Sequence, residues 1–78
     1  MRRAELRFLF DSSEDARVVF KSLTPEVKKR IPKTTVELDF EGREMVLSIT
    51  ASDTSSLRAA INSYLRWVDT AFNVKDAL

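Results

Sequence analysis

The chain contains no cysteine and no histidine. Without them there are no disulfides, no thiolate nucleophiles, no imidazole bases and almost no transition-metal donor sets. Ser12, Ser13, Ser55 and Ser56 therefore lack a histidine to activate them. One glycine and two prolines leave no phosphate-cradling loop, linker or low-complexity segment. Neither sign of charge dominates: thirteen basic residues against twelve acidic give a net charge of +1, so no overall field points to nucleic acid or membrane. No apolar run is long enough for a signal peptide or a membrane span. The expectation is a soluble, cytoplasmic, non-enzymatic protein with no catalytic residue, cofactor or metal. Residues 1–78 should form one domain. A domain of this size buries only about 60% of the surface its unfolded chain exposes, so partners add to its stability.

What is present is alternation and helical spacing. In residues 4–10, Ala4, Leu6, Phe8 and Phe10 point one way and Glu5 and Arg7 the other, with Leu9 an apolar intruder on the polar face. Asp11-Ser12-Ser13-Glu14-Asp15 reads as a helix start, a serine cap followed by acids in the first turn, and Ala16, Val19, Phe20 and Leu23 give the helix one apolar face. Thr24-Pro25-Glu26 ends that face or opens one further turn. Lys28-Lys29-Arg30-Ile31-Pro32-Lys33 reads as a basic connector.

Val36, Leu38 and Phe40 alternate with Glu37 and Asp39, and Met45, Leu47, Ile49 and Ala51 with Val46, Ser48 and Thr50. Gly42-Arg43 at the centre of a hairpin turn pairs Glu41 with Glu44, Phe40 with Met45, Leu38 with Leu47 and Val36 with Ile49. Every apolar pair then shares a face, and the glycine sits where a primed turn needs positive φ. Asp53 caps a second helix, apolar-periodic from Leu57 to at least Phe72, with a tail at Lys75-Asp76-Ala77-Leu78 expected to fray. The fold class is α+β: a two-layer β-α-β-β-α chain, a three-stranded antiparallel sheet in the order 1-3-2, and two helices on one face. This is a ferredoxin-like unit without its last strand, which leaves the first strand as an open edge.

Two surfaces stand out. On the last helix, Leu57, Ile61, Tyr64, Leu65, Val68 and Phe72 form one apolar sector, and Ala60, Trp67, Ala71, Val74 and Leu78 a second. The second has the alternating spacing of a helix-packing seam. It either covers the first helix of the same chain or docks in part on another protein, and Trp67 and Tyr64 are residue types that concentrate binding energy. Opposite lie Arg58, Asn62, Arg66, Asp69 and Asn73, a solvated face unless the guanidinium forks meet a partner. The second surface is the first strand, with Glu5, Arg7 and outward Leu9. Two copies paired antiparallel about a two-fold axis would form a six-stranded sheet with Glu5 meeting Arg7; an edge merely protected by its charges is the alternative. Lys28, Lys29, Arg30 and Lys33 are candidate RNA contacts, but they lack interleaved aromatics and a glycine clamp, which favours a solvated connector.

Phe10-Asp11-Ser12 leading to Ala16, then Phe20-Lys21-Ser22-Leu23-Thr24-Pro25-Glu26, Ile49-Thr50-Ala51-Ser52-Asp53 and Ser56-Leu57-Arg58-Ala59-Ala60-Ile61-Asn62-Ser63-Tyr64-Leu65 form one ordered set. In this set the chain resembles the small dimerising, Pcc-type subunit of the KEOPS complex of archaea and eukaryotes, over roughly residues 4 to 74. The resemblance implies a non-catalytic scaffold in the machinery that places threonylcarbamoyl on the adenosine beside the anticodon of tRNA. It implies dimerisation through the sheet, docking on the N-terminal lobe of the catalytic, ATPase-fold subunit, and help in holding tRNA. Carried over by position, the docking residues are Leu57, Arg58, Ile61, Asn62, Ser63 and Leu65. The partner on the open edge would be a second copy or a divergent paralogue, and the Arg58 and Asn62-Ser63 matches favour the main subunit. Rival readings are a stand-alone RNA-binding α+β domain using the basic run, a small-molecule regulatory domain with a pocket at a dimer seam, and an orphan enzyme.

Overall fold

The computed structural model describes residues 1–29 and 31–77, with side chains through residue 71. Its elements are β1 (Arg2–Leu9), α1 (Ser13–Val27), β2 (Thr34–Glu41), β3 (Glu44–Ala51) and α2 (Thr54–Ala77). The strands form one antiparallel sheet in the expected order β1-β3-β2, the helical crossover leaving room for β3 between the other two. The hairpin register is the expected one, with Glu41 opposite Glu44, Leu38 opposite Leu47 and Val36 opposite Ile49. Gly42 has φ 59°. Arg43 does not share the positive φ, so the link has the type II′ pattern, in which only the first central residue needs it.

The inward side chains of β3, Met45, Leu47, Ile49 and Ala51, are fully covered, whereas those of β1 and β2 are half-buried. Two helices thus roof the central strand and leave both margins of the sheet partly open. Around this strand the core has two lobes. Phe10, Ala16, Val19, Leu23, Met45, Val68 and Ala71 fill one, and Leu47, Ile49, Ala60 and Tyr64 the other. α1 leans over β2, with the Phe20 and Phe40 rings tilted 45° and their centroids 4.5 Å apart. α2 lies over β3 and β1.

α1 differs from expectation at Pro25: the further turn forms, but as an unbroken continuation of the helix. Pro25 removes one N–H, and the ladder resumes beyond it, with the Lys28 amide donating to the Thr24 carbonyl at 3.2 Å. The Thr24 hydroxyl donates to the Phe20 carbonyl at 2.8 Å. The strands β1 and β2 each begin two residues earlier than their apolar alternation suggests, because main-chain pairing outlasts the buried side chains.

The structure picks Ser12 as the serine that caps α1, and Asp53 caps α2 as expected. The Asp15 amide donates to Ser12 Oγ at 3.1 Å, and the Ser56 amide to Asp53 Oδ1 at 2.7 Å. The Ser56 amide, then its hydroxyl, hold the Asp53 carboxyl below its ordinary value against the opposing effect of desolvation, and the Lys33 charge adds less. A carboxyl whose folded pKa is depressed stabilises the fold above its unfolded pKa and loses that contribution as pH falls through the lowered value. Asp53→Asn, an uncharged cap, is therefore expected to keep α2 at neutral pH and to flatten the acid limb of a Tm-against-pH profile. An acid limb identical to that of the unaltered chain would remove Asp53 from acid sensitivity.

Candidate protein–protein interface

The buried stripe of α2 runs through Ala60, Tyr64, Val68 and Ala71, with Leu57, Ile61 and Trp67 half-buried beside it. Ala60, Trp67 and Ala71, the packing seam read from the sequence, turn toward their own chain. Trp67 and Ala71 line a groove of about 190 Å³ with Ser22, Leu23 and Glu26 of α1. Tyr64, fully covered, meets Trp67 edge-on at 4.8 Å, and its hydroxyl donates to the Glu26 carbonyl at 3.5 Å. Burial, then the Glu26 charge, push the Tyr64 phenol up. Val74 and Leu78 of that seam, and Phe72 of the other sector, lie outside the described side chains, as does the tail expected to fray.

This packing fixes which side of α2 remains free. At about 100° per residue, Leu65, Arg58 and Asp69 fall opposite Trp67 and Ala60, on the flank away from α1 and toward β1. Leu65 is 44% exposed there, although the sequence pattern placed it in the apolar sector. Ile61 borders the same flank, packed against the Tyr64 cluster, and Asn62 is exposed beside it. The six positions carried over by resemblance therefore divide. Arg58, Asn62 and Leu65 are exposed on the β1 side and Leu57 and Ile61 are half-buried beneath them, while Ser63 lies around the helix toward α1. Arg58 has no ion-pair or hydrogen-bond partner among the described residues.

The same side of the molecule ends in the unpaired edge of β1. Leu9 is 68% exposed there, next to Glu44 in the register. Glu5 lies 2.6 Å from Arg7 and 3.8 Å from Arg3, and Arg7 Nη1 donates to Glu44 Oε1 at 3.0 Å. The edge is thus a row of alternating charges already balanced within one protomer. The other edge, β2, carries Glu37, Asp39 and Glu41 on the outer face.

The described residues of the basic run have different local settings. Lys29 pairs with Glu26 at 3.0 Å and Lys28 caps α1. Lys33 sits in a left-handed conformation, φ 62°, beside Asp53. Arg30 lies outside the described residues.

Comparison with known proteins fits this architecture. A family model described as "Transcription factor Pcc1" matches residues 3–76. The chain is 41% identical over 66 residues to the KEOPS complex subunit Pcc1 of Pyrococcus abyssi (strain GE5 / Orsay), spanning 83% of this chain and 80% of that protein. Its fold matches a chain in the crystal structure of the binary complex Gon7–Pcc1 with a TM-score of 0.86, at 21% identity and over 97% of this chain and 94% of that one. On the span of the family model and the identity to its archaeal relative, this chain belongs to the Pcc1 family.

Proposed function

We propose that this chain is a non-catalytic scaffold subunit of a KEOPS complex, acting in the cytoplasm as one adaptor domain, 1–78. The observation that carries the reading is its 41% identity to an archaeal subunit of that complex. The geometry supplies a means: an unpaired strand edge and a free helix flank on one side of the molecule. In this reading β1, with Glu5, Arg7 and Leu9, joins a second copy or a paralogue. A fold relative crystallised in a binary complex with Gon7 supports a protein partner for this fold. The helical surface marked by Leu57, Arg58, Ile61, Asn62, Ser63 and Leu65 docks the catalytic, ATPase-fold subunit. A two-fold dimer then holds two catalytic subunits at a fixed separation, and the gain comes from geometry and effective concentration.

Contact with tRNA is assigned to the assembled complex, with Lys28, Lys29, Arg30 and Lys33 as the candidate contribution of this chain. The pairing of Lys29 with Glu26 and the acidic row on β2 argue against a stand-alone nucleic-acid reader, which needs a concentrated basic face. Light scattering of the chain, alone and mixed with the catalytic subunit, tests the proposal. A dimer that takes up two catalytic subunits is expected, and a monomer that ignores that subunit would contradict it.

A further inference from the structure

The two margins of the sheet present their main chains differently. The Phe10 amide donates to the Arg43 carbonyl at 2.8 Å, continuing the register that sets Leu9 opposite Glu44. In an antiparallel ladder the main-chain groups of alternate residues point to the same neighbour. Even-numbered residues of β1 therefore bond to β3, while Arg3, Glu5, Arg7 and Leu9 turn their N–H and C=O groups to the open side. On the far margin the Ser52 amide donates to the Lys33 carbonyl at 3.0 Å, one step beyond the pair Thr34–Ala51. Odd-numbered residues of β2 accordingly bond to β3, and Thr34, Val36, Leu38 and Phe40 turn their main chain outward.

The chain itself takes up both ends of this second row. The Thr34 amide donates to the Ile31 carbonyl at 3.2 Å, within an isolated bridge between the two residues. The Phe40 amide donates to Oδ1 of Asp39, its own neighbour, at 2.8 Å. A short carboxylate can turn back on nearby main chain in this way. It fills the place where the carbonyl of an added strand would sit, and its charge repels that oxygen. Among the described residues no side chain accepts from an outward amide of β1.

Charge alone would not keep the β2 margin free. Glu37, Asp39 and Glu41 on the outer face repel another β2, but they attract a β1 that carries Arg3 and Arg7. A β1-to-β2 contact is head-to-tail, and such contacts run into open filaments unless the rotation closes a ring. A main chain already occupied at β2 blocks that route.

We propose that Asp39 closes the β2 margin by holding the Phe40 amide, so that strand addition to this sheet proceeds at β1 alone. The device acts whether or not β1 is paired, and so it stands apart from the dimer reading.

Substitutions on the exposed outer face test it without touching the core. Asp39→Val removes the acceptor. Asp39→Asn removes the charge but keeps an acceptor oxygen, and Glu37→Val makes a similar apolar change two residues away with the bond intact. In residue-resolved amide exchange at low concentration, the Phe40 amide should exchange about 10-fold faster in Asp39→Val than in the other three proteins. Light scattering over rising concentration should show a mass that grows beyond that of the wild type for Asp39→Val alone. A wild-type Phe40 amide as labile as that of Leu38 overturns the proposal. Growth of Asp39→Asn or Glu37→Val overturns it too, because the guard is then the charge of the face. An Asp39→Val protein with a freed Phe40 amide and the wild-type mass overturns it as well. Each mass is read against that of the wild type, monomer or dimer, so failure here is distinct from failure of the dimer reading.

Discussion

Tyr64→Ala is expected to remove a large share of the protein's stability and to lower its urea midpoint sharply. Tyr64 is fully covered and belongs to the cluster with Leu47, Ile49 and Ala60. Truncating a buried aromatic costs about 3–5 kcal/mol, through lost transfer energy and the cavity left behind. A chain of this length has only roughly 4–12 kcal/mol of stability in total. The edge-on contact with Trp67 at 4.8 Å is lost too, and Trp67 then faces an empty site between the helices. Tyr64→Phe separates packing from the hydroxyl. It forfeits one long hydrogen bond to the Glu26 carbonyl, which also accepts from the Lys29 amide at 3.2 Å, so the change should stay within about 1 kcal/mol. Urea unfolding of the three proteins checks the ranking. A Tyr64→Ala midpoint near that of the wild type would contradict the placement of this side chain.

Arg58→Glu is the largest effect expected on assembly without one on folding. Arg58 is exposed and holds no partner among the described residues, so reversing its charge disturbs nothing in the protomer. If it donates to a carboxylate on the catalytic subunit, its loss should weaken docking about 10- to 100-fold, the range for hydrogen bonds to charged groups. Calorimetric titration with the catalytic subunit reads that change, while light scattering and circular dichroism should match the wild type. Unchanged affinity would remove Arg58 from the docking surface. Loss of the dimer instead would reassign it to the seam, a meaningful outcome because its flank of α2 faces the β1 side. Leu65→Asp, at an exposed apolar position, should behave in the same way. Ile61→Asp is less informative, since Ile61 packs into the Tyr64 cluster and the charge damages the fold itself.

Much of this fold was legible because its signals are local and redundant. The hairpin has one glycine, two alternating runs and one register that puts all apolar pairs on a face, and the structure adopts it. The serine cap of α1 and Asp53 of α2 announce both helix starts. Pro25 misleads in part, because a proline reads as a boundary although a helix tolerates it where the hydrogen-bond ladder resumes one turn later. The candidate interface was harder to read. Periodicity marks Tyr64, Leu65, Trp67 and Val68 as apolar, but two sectors side by side do not say which is turned to the sheet, which to α1 and which to water. That depends on where α1 lies, a long-range fact, and it leaves Leu65 exposed and Trp67 half-buried. The split of Ser63 from Arg58 and Leu65 has the same origin. The open edge of β1 follows from strand order alone, while the direction of its main-chain groups needed the Phe10–Arg43 bond.

Residue-resolved amide exchange along β1 tests the central claim most directly. At high protein concentration the amides of Arg3, Glu5, Arg7 and Leu9 should exchange as slowly as those of Ala4, Leu6 and Phe8, and they should lose that protection on dilution. If the odd-numbered amides exchange freely at every concentration while the even-numbered ones stay protected, the edge is bare in solution and the scaffold has no seam.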